Sequence, residues 1–223
     1  MKVMENIMSQ CKGYKQPYKL MLITQLNGTD IDSYLEFIKG CAEGGITSLQ
    51  LRDKHASMEF LFEFGCKLKS VLAPFNIPLI INDNVELAYK IDADGVHLGQ
   101  SDGNPKKARK LLGINKIIGL SIESLDKLER VNNLDIEITY IAASAVFATK
   151  TKSNIKTVWG IDGLKKVVAL SKYPVVAIGG INKKNAAQVI NAGASGIAVV
   201  SAIHEASNPQ KEVQQLCNII NEV

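Results

Sequence analysis

Eight short apolar segments, nearly all separated by helix-like segments, predict a single (β/α)8 barrel of the α/β class. Successive strand-like segments begin about 20 to 30 residues apart, enough for a strand, a helix and two turns. Most of these segments are apolar on both faces, as strands must be when helices cover them outside and side chains fill the inside. An open doubly wound sheet has fewer strands and a glycine-rich first turn, whereas Asn27-Gly28-Thr29 contains no GxGxxG.

The first strand is expected at Tyr18–Thr24, followed by a helix from Ile31 to Glu43 that Asp30 caps and Gly44-Gly45 stops. The second strand, Ser48–Arg52, alternates, so Leu49 and Leu51 face one way and Gln50 and Arg52 the other, toward the barrel mouth. Ser57 starts a helix to about Leu72, with Phe60, Leu61, Phe64 and Leu68 on one face, and Pro74 and Pro78 bracket the turn into the third strand. That strand begins the stretch Leu79–Asp102. Its apolar run Leu79–Ile81 ends in Asn82-Asp83, and Gly95–Leu98 forms the fourth strand, ending near Gln100 and Asp102. The remaining strands are read at Lys116–Ser121, Ile138–Ala142, Pro174–Gly180 and Gly196–Val200. Their helices start at Asn104-Pro105, Ser124, Asp162, Lys184 and Asn208-Pro209. Residues 1–17 lack a clear period and read as an N-terminal extension, a loose arm or short helix across the barrel bottom. Residues 18–223 form the barrel domain.

The 46% apolar and 22% charged content suits a soluble protein with a sizeable core. A net charge of +4, spread over scattered lysines and arginines, gives no basic face for nucleic acid. Cys11, Cys41, Cys66 and Cys217 form no CxxC or zinc spacing, which points to a reduced, cytoplasmic protein. No leader-like apolar region and no membrane-length stretch is visible.

Sites in parallel α/β folds lie at strand C-termini. There the sequence delivers two carboxylates, Asp83 and Asp102. They fit a hard cation with a phosphate companion, while capping of the two following helices is the simpler reading of the spacing alone. Gly179-Gly180-Ile181 and Val200-Ser201-Ala202, after strands seven and eight, occupy the usual phosphate position, with tight turning as the simpler role for the glycines. Arg52 and Lys54 follow strand two, and Thr149, Thr151 and Lys152 lie in the polar loop 147–158, read either as a lid over a polyanion or as a solvated loop. His97 is either a core histidine or a base. Glu123 either caps a helix or reaches the site. His55 and His204 have no partner legible in the sequence.

Taken together, SLQLRDK at 48–54, LIINDNVELA at 79–88, ADGVHLGQSD at 93–102, GLS at 119–121, TKTK at 149–152, AIGGI at 177–181 and GASGIAVVSAI at 193–203 resemble the thiamine-phosphate synthases. The resemblance spans about Tyr18 to Ile203. It implies condensation of a hydroxymethylpyrimidine diphosphate with a thiazole monophosphate, giving thiamine phosphate and pyrophosphate. It also implies that Arg52, Lys54, Asn82 and Lys152 hold the diphosphate, that Asp83 and Asp102 hold Mg2+, and that Gln50 and Ser121 fix the pyrimidine. Thr149, Thr151, Gly180, Val200 and Ser201 would hold the thiazole phosphate. The partners implied are these small molecules alone, with neither nucleic acid nor membrane, and a homo-oligomer is compatible with the sequence.

The sequence departs from that family at two places. Ala142-Ala143-Ser144-Ala145 replaces a Gly-x-Gly-Pro run, with Ala148 in place of the proline before Thr149, and Glu123 stands where a histidine is common. A thiazole tautomerase or another phosphate-binding barrel isomerase is one alternative; the tautomerases use a histidine in that neighbourhood, so Glu123 fits that activity poorly. A non-catalytic thiamine-linked binding protein is the other alternative, and it would not need the metal and diphosphate set.

Overall fold

Eight parallel strands close into one barrel in chain order, each hydrogen-bonded to its sequence neighbours and the eighth to the first. A computed structural model describes residues 16–26, 28–99, 103–149, 151 and 157–222. The strands are β1 (Leu20–Ile23), β2 (Ser48–Leu51), β3 (Leu79–Asn82), β4 (Gly95–Leu98), β5 (Ile117–Ile122), β6 (Tyr140–Ser144), β7 (Val175–Ile178) and β8 (Gly196–Val199). The helices are α1 (Ile31–Gly44), α2 (Met58–Leu72), α3 (Val85–Ile91), α4 (Pro105–Leu112), α5 (Leu125–Asn132), α6 (Gly160–Leu170), α7 (Ala186–Asn191), α8 (Ser201–His204) and α9 (Pro209–Glu222). Among the described residues no helix is long and apolar enough to cross a membrane. The expected extension lies almost wholly outside them.

Strand alternation separates two cores. Leu20, Leu22, Leu49, Leu51, Leu79, Ile81, Val96, Ile118, Ile141, Ala177 and Ile197 face outward against the helices. Met21, Ile23, Ile80, Ile117, Tyr140, Ala142, Val176 and Ala198 face inward and fill the barrel. The same alternation turns Gln50, His97 and Ser121 inward, above that filling, because their chain neighbours belong to the outer core.

Helix starts follow the expected side chains at Asp30, Ser57, Asn104 and Ser124, each accepting from a backbone N–H of the first turn. Elsewhere the structure corrects the expectation. The cap of α3 is Asn84, whose side chain accepts from Leu87 N–H, so Asp83 does not cap it. The cap of α4 is likewise taken by Asn104, while Asp102 lies outside the described residues. Asp162 sits inside the first turn of α6, which begins at Gly160. The N–H groups of Trp159 and Gly160 donate to the carbonyls of Ala145 and Val146, each at 2.9 Å, and so dock the helix start on the exit of β6.

Strand six starts at Tyr140 and runs to Ser144, two residues later than expected. The Thr139 hydroxyl accepts from Ile118 N–H at 3.2 Å, taking a place that a strand carbonyl would fill. Helix α7 is shorter than expected. Asn182 and Asn185 tie residues 182–185 into a turn, Asn182 N–H donating to the Asn185 side chain and Lys184 N–H to that of Asn182, both at 2.9 Å. The four-residue α8 has no counterpart in the sequence reading.

Candidate active site

Six of the residues selected from sequence line one open cavity at the C-terminal ends of the strands: Gln50, Arg52, Lys54, Asn82, Asp83 and Ser121. The cavity opens to solvent at the strand ends. His97, Tyr140, Ala142 and Ser144 complete its far wall.

Local hydrogen bonds fix the cationic side. The Thr24 hydroxyl accepts from Arg52 N–H at 2.9 Å and donates to Arg52 C=O at 3.1 Å, clamping the main chain where Arg52 leaves β2. Asp53 accepts from the N–H groups of His55 and Ala56, which curls the loop around Lys54. The Lys54 ammonium lies 3.4 Å from the Asp83 carboxylate. With the two side chains 48% and 26% exposed, this ion pair contributes little to stability, and its consequence is local charge at the mouth.

Asp83 itself adopts φ +64°, a conformation few non-glycine residues take and one that Asp tolerates comparatively well. Asn84 N–H donates to Asn82 C=O at 2.8 Å across it, and Asp83 N–H donates to His97 C=O at 2.8 Å. This turn lifts the carboxylate off the helix-cap position and onto the rim. The Asp83 carboxylate and the neighbouring Asn82 amide are hard oxygen donors of the kind Mg2+ takes. Among the described residues no group of three or more His, Cys, Asp or Glu side chains could hold a metal.

The floor of the cavity carries a buried polar chain. Tyr140 O–H lies 3.0 Å from His97 Nδ1, and His97 Nε2 lies 2.9 Å from Ser121 Oγ. Gln50 hydrogen-bonds the same phenol. A consistent set of directions runs from the Gln50 amide to the Tyr140 oxygen, from the Tyr140 hydroxyl to Nδ1, and from Nε2–H to Ser121. Burial holds the Tyr140 phenol far above its ordinary range, so it stays a neutral donor. Gly119 makes the space. It pairs with His97 on one side and Tyr140 on the other, and a Cβ there would collide with the Tyr140 ring and come within 2.7 Å of His97 Nδ1. His97 is thus buried and hydrogen-bonded, with its ring joined to the two strands that follow it. Sequence reasoning gave Tyr140 no role at the site and marked Ser144 only as part of the run that departs from the family; the inward parity of β6 was the available signal.

The second rim lies at β7 and β8. Ile178 pairs with Ala198, so the two turns leave the barrel side by side. Gly180 has φ +65°, and a Cβ there would sit 2.7 Å from the Ala148 carbonyl and 2.9 Å from Phe147 Cβ, so both conformation and space require glycine. Val200 precedes α8, which opens at Ser201. His204 secures this turn: its Nδ1–H donates to Val200 C=O at 2.9 Å, and its Nε2 accepts from Tyr34 O–H at 2.8 Å. Tyr34 in turn accepts from Gln25 N–H at 2.9 Å, tying the β8 turn to the β1 loop. Thr149 accepts from Thr151 N–H at 3.2 Å. Gly180, Val200, Ser201, Thr149 and Thr151 do not line the cavity that holds the first six residues. Lys152 and Asp102 lie outside the described residues. Glu123 pairs with Lys127 at 3.3 Å, and Ser124, not Glu123, caps α5.

Fold and cavity together define a (β/α)8 barrel with an open cavity at the C-terminal ends of its strands, the place where barrels of this class carry their sites. A family model described as thiamine monophosphate synthase matches residues 20–203, and the chain belongs to that family. The thiamine-phosphate synthase of Chlamydia abortus is 45% identical over 204 residues, covering 92% of this chain and 95% of that protein. That of Vibrio parahaemolyticus is 44% identical over 204 residues, covering 92% and 98%. Among solved structures, the thiamine phosphate pyrophosphorylase from Pyrococcus furiosus superposes with a TM-score of 0.81 at 35% identity, covering 92% of this chain and 96% of that one. The activity is accordingly that of a transferase of thiamine biosynthesis.

Proposed function

We propose that the chain joins 4-amino-2-methyl-5-hydroxymethylpyrimidine diphosphate to 4-methyl-5-(2-phosphoethyl)thiazole, or its carboxylated form, giving thiamine phosphate and pyrophosphate. The observation that carries this reading is the convergence of Arg52, Lys54, Asn82 and Asp83 on one side of a cavity whose floor presents Gln50 and Ser121. Arg52, Lys54 and Asn82, with Lys152, hold the diphosphate. Gln50 and Ser121, aligned through Tyr140 and His97, fix the pyrimidine. Thr149, Thr151, Gly180, Val200 and Ser201 hold the thiazole phosphate on the second rim.

Asp83 and Asp102 would hold Mg2+, which supplies positive charge against the diphosphate. The carbon–oxygen bond to the diphosphate breaks first, its electron pair leaving with the pyrophosphate. The thiazole nitrogen then donates its lone pair to the pyrimidine-stabilised carbocation. Catalysis therefore rests on charge held ready for the leaving group, which accounts for a rim of Arg, Lys and Asn with no strong nucleophile. We also place residues 1–17 as an extension of a barrel domain 18–223, in the cytoplasm, and compatible with a homo-oligomer.

The test is pyrophosphate release by the purified protein with both substrates and magnesium. No release at saturating substrate refutes the reading. Asp83→Ala should lower magnesium-dependent turnover about 100-fold or more, the loss typical of a removed charge-stabilising group, while lowering the melting temperature by only about 2–4 °C, the cost of alanine at φ +64°. Unchanged turnover removes Asp83 from its role.

A further inference from the structure

Between the pyrimidine floor and the phosphate rim stands a polar group that the mechanism does not use. Ser144 is the last residue of β6 and is 9% exposed. It lies on the inner face with Tyr140 and Ala142, pairs with Ile178 on β7, and lines the cavity. Ala142, two residues earlier, pairs with Ser121. Ser144 therefore sits one step toward the mouth from the pyrimidine floor and one step short of the Gly179-Gly180 turn. Its neighbours on that wall, Ala142, Val176, Ile178 and Ala198, are apolar. Among the described residues its hydroxyl has no hydrogen-bond partner. Its oxygen opens onto the cavity and is not among the buried unpartnered atoms, so a substrate that displaces solvent from this apolar wall must offer a polar atom to it or leave it unpaired.

We propose that Ser144 is a binding residue for the thiazole phosphate, its hydroxyl hydrogen-bonding that heteroaromatic substrate between its phosphate end and the point where it meets the pyrimidine. This rests on the synthase reading for the identity of the ligand. The contact falls on the second substrate because the pyrimidine is already met by Gln50 and Ser121, one layer lower on the floor.

Steady-state kinetics with each substrate varied in turn, and calorimetric binding of the thiazole phosphate, test it in wild type, Ser144→Ala and Ser144→Gly. Ser144→Ala should raise the KM and Kd for the thiazole phosphate about fivefold to tenfold, the effect of one lost hydrogen bond, and leave the KM for the pyrimidine diphosphate unchanged. Ser144→Gly should do the same. An unchanged thiazole Kd in Ser144→Ala overturns the proposal. So does an equal rise for both substrates, or an effect of Ser144→Gly alone, since either makes Ser144 a matter of wall shape. If wild type releases no pyrophosphate, the synthase reading falls, while the calorimetric comparison still decides for or against Ser144.

Discussion

Replacing Tyr140 by Phe tests whether the buried chain beneath the cavity positions the pyrimidine-reading groups. The ring keeps its volume and only the hydroxyl leaves, so packing in the barrel interior is preserved. Two partners then lose their match: His97 Nδ1, 3.0 Å from the missing oxygen, and the Gln50 amide. Tyr140 is 1% exposed, so water does not easily replace it. Leaving buried polar groups unpaired costs about 1–3 kcal/mol in sum, and about 2 kcal/mol is the central expectation. For a chain of this size that lowers the melting temperature by about 4–8 °C. Without the phenol to set Nδ1 as acceptor, His97 loses its fixed tautomer, and Nε2–H no longer holds Ser121. The KM for the pyrimidine diphosphate should rise about threefold to tenfold, the worth of a weakened hydrogen bond, with the KM for the thiazole phosphate unchanged. Thermal melts followed by circular dichroism, with steady-state kinetics on both substrates, provide the readouts. A melting temperature within about 1 °C of wild type, together with an unchanged pyrimidine KM, would refute the reasoning.

Further outcomes follow from the rims. Gly180→Ala forces a left-handed backbone on a Cβ that meets Ala148 and Phe147, at a cost of about 2–4 kcal/mol in denaturant unfolding; a loss below about 1 kcal/mol would mean that the turn relaxes freely. Burial depresses His204 below its ordinary 6.5, outweighing the Val200 carbonyl and Glu205, which act to raise it. Above pH 6.5 the ring is neutral folded or unfolded; as pH falls below 6.5 the unfolded chain takes a proton that the folded one refuses, so stability declines until the depressed folded value is passed. Melting temperatures between pH 7.5 and 5 should therefore fall more steeply for wild type than for His204→Asn, and coincident slopes would remove His204 as the cause.

Several elements were legible in the sequence because their determinants are local. Asp30, Ser57, Asn104 and Ser124 each cap the helix that starts beside them, since the cap bond spans only two or three residues. Gln50 and Arg52 could be turned inward from the alternation of one strand. At Asp83 the local reading was ambiguous, because an acid before a helix suits a cap as well as a rim ligand. Asn84 takes the cap bond, which removes the capping role from Asp83.

The order of the strands, their short apolar character and the candidates at their ends were thus set by the chain itself, through periodicity and capping over a few residues. Only the closed barrel decided what meets across it. Gln50, His97, Ser121 and Tyr140 come from four strands, and no spacing in the sequence announces their chain of hydrogen bonds. His204 likewise finds Tyr34 across 170 positions of chain. Such contacts depend on register and closure, which are properties of all eight strands together. The sequence alone therefore names the residues of the rim, and the tertiary structure decides which of them face one another.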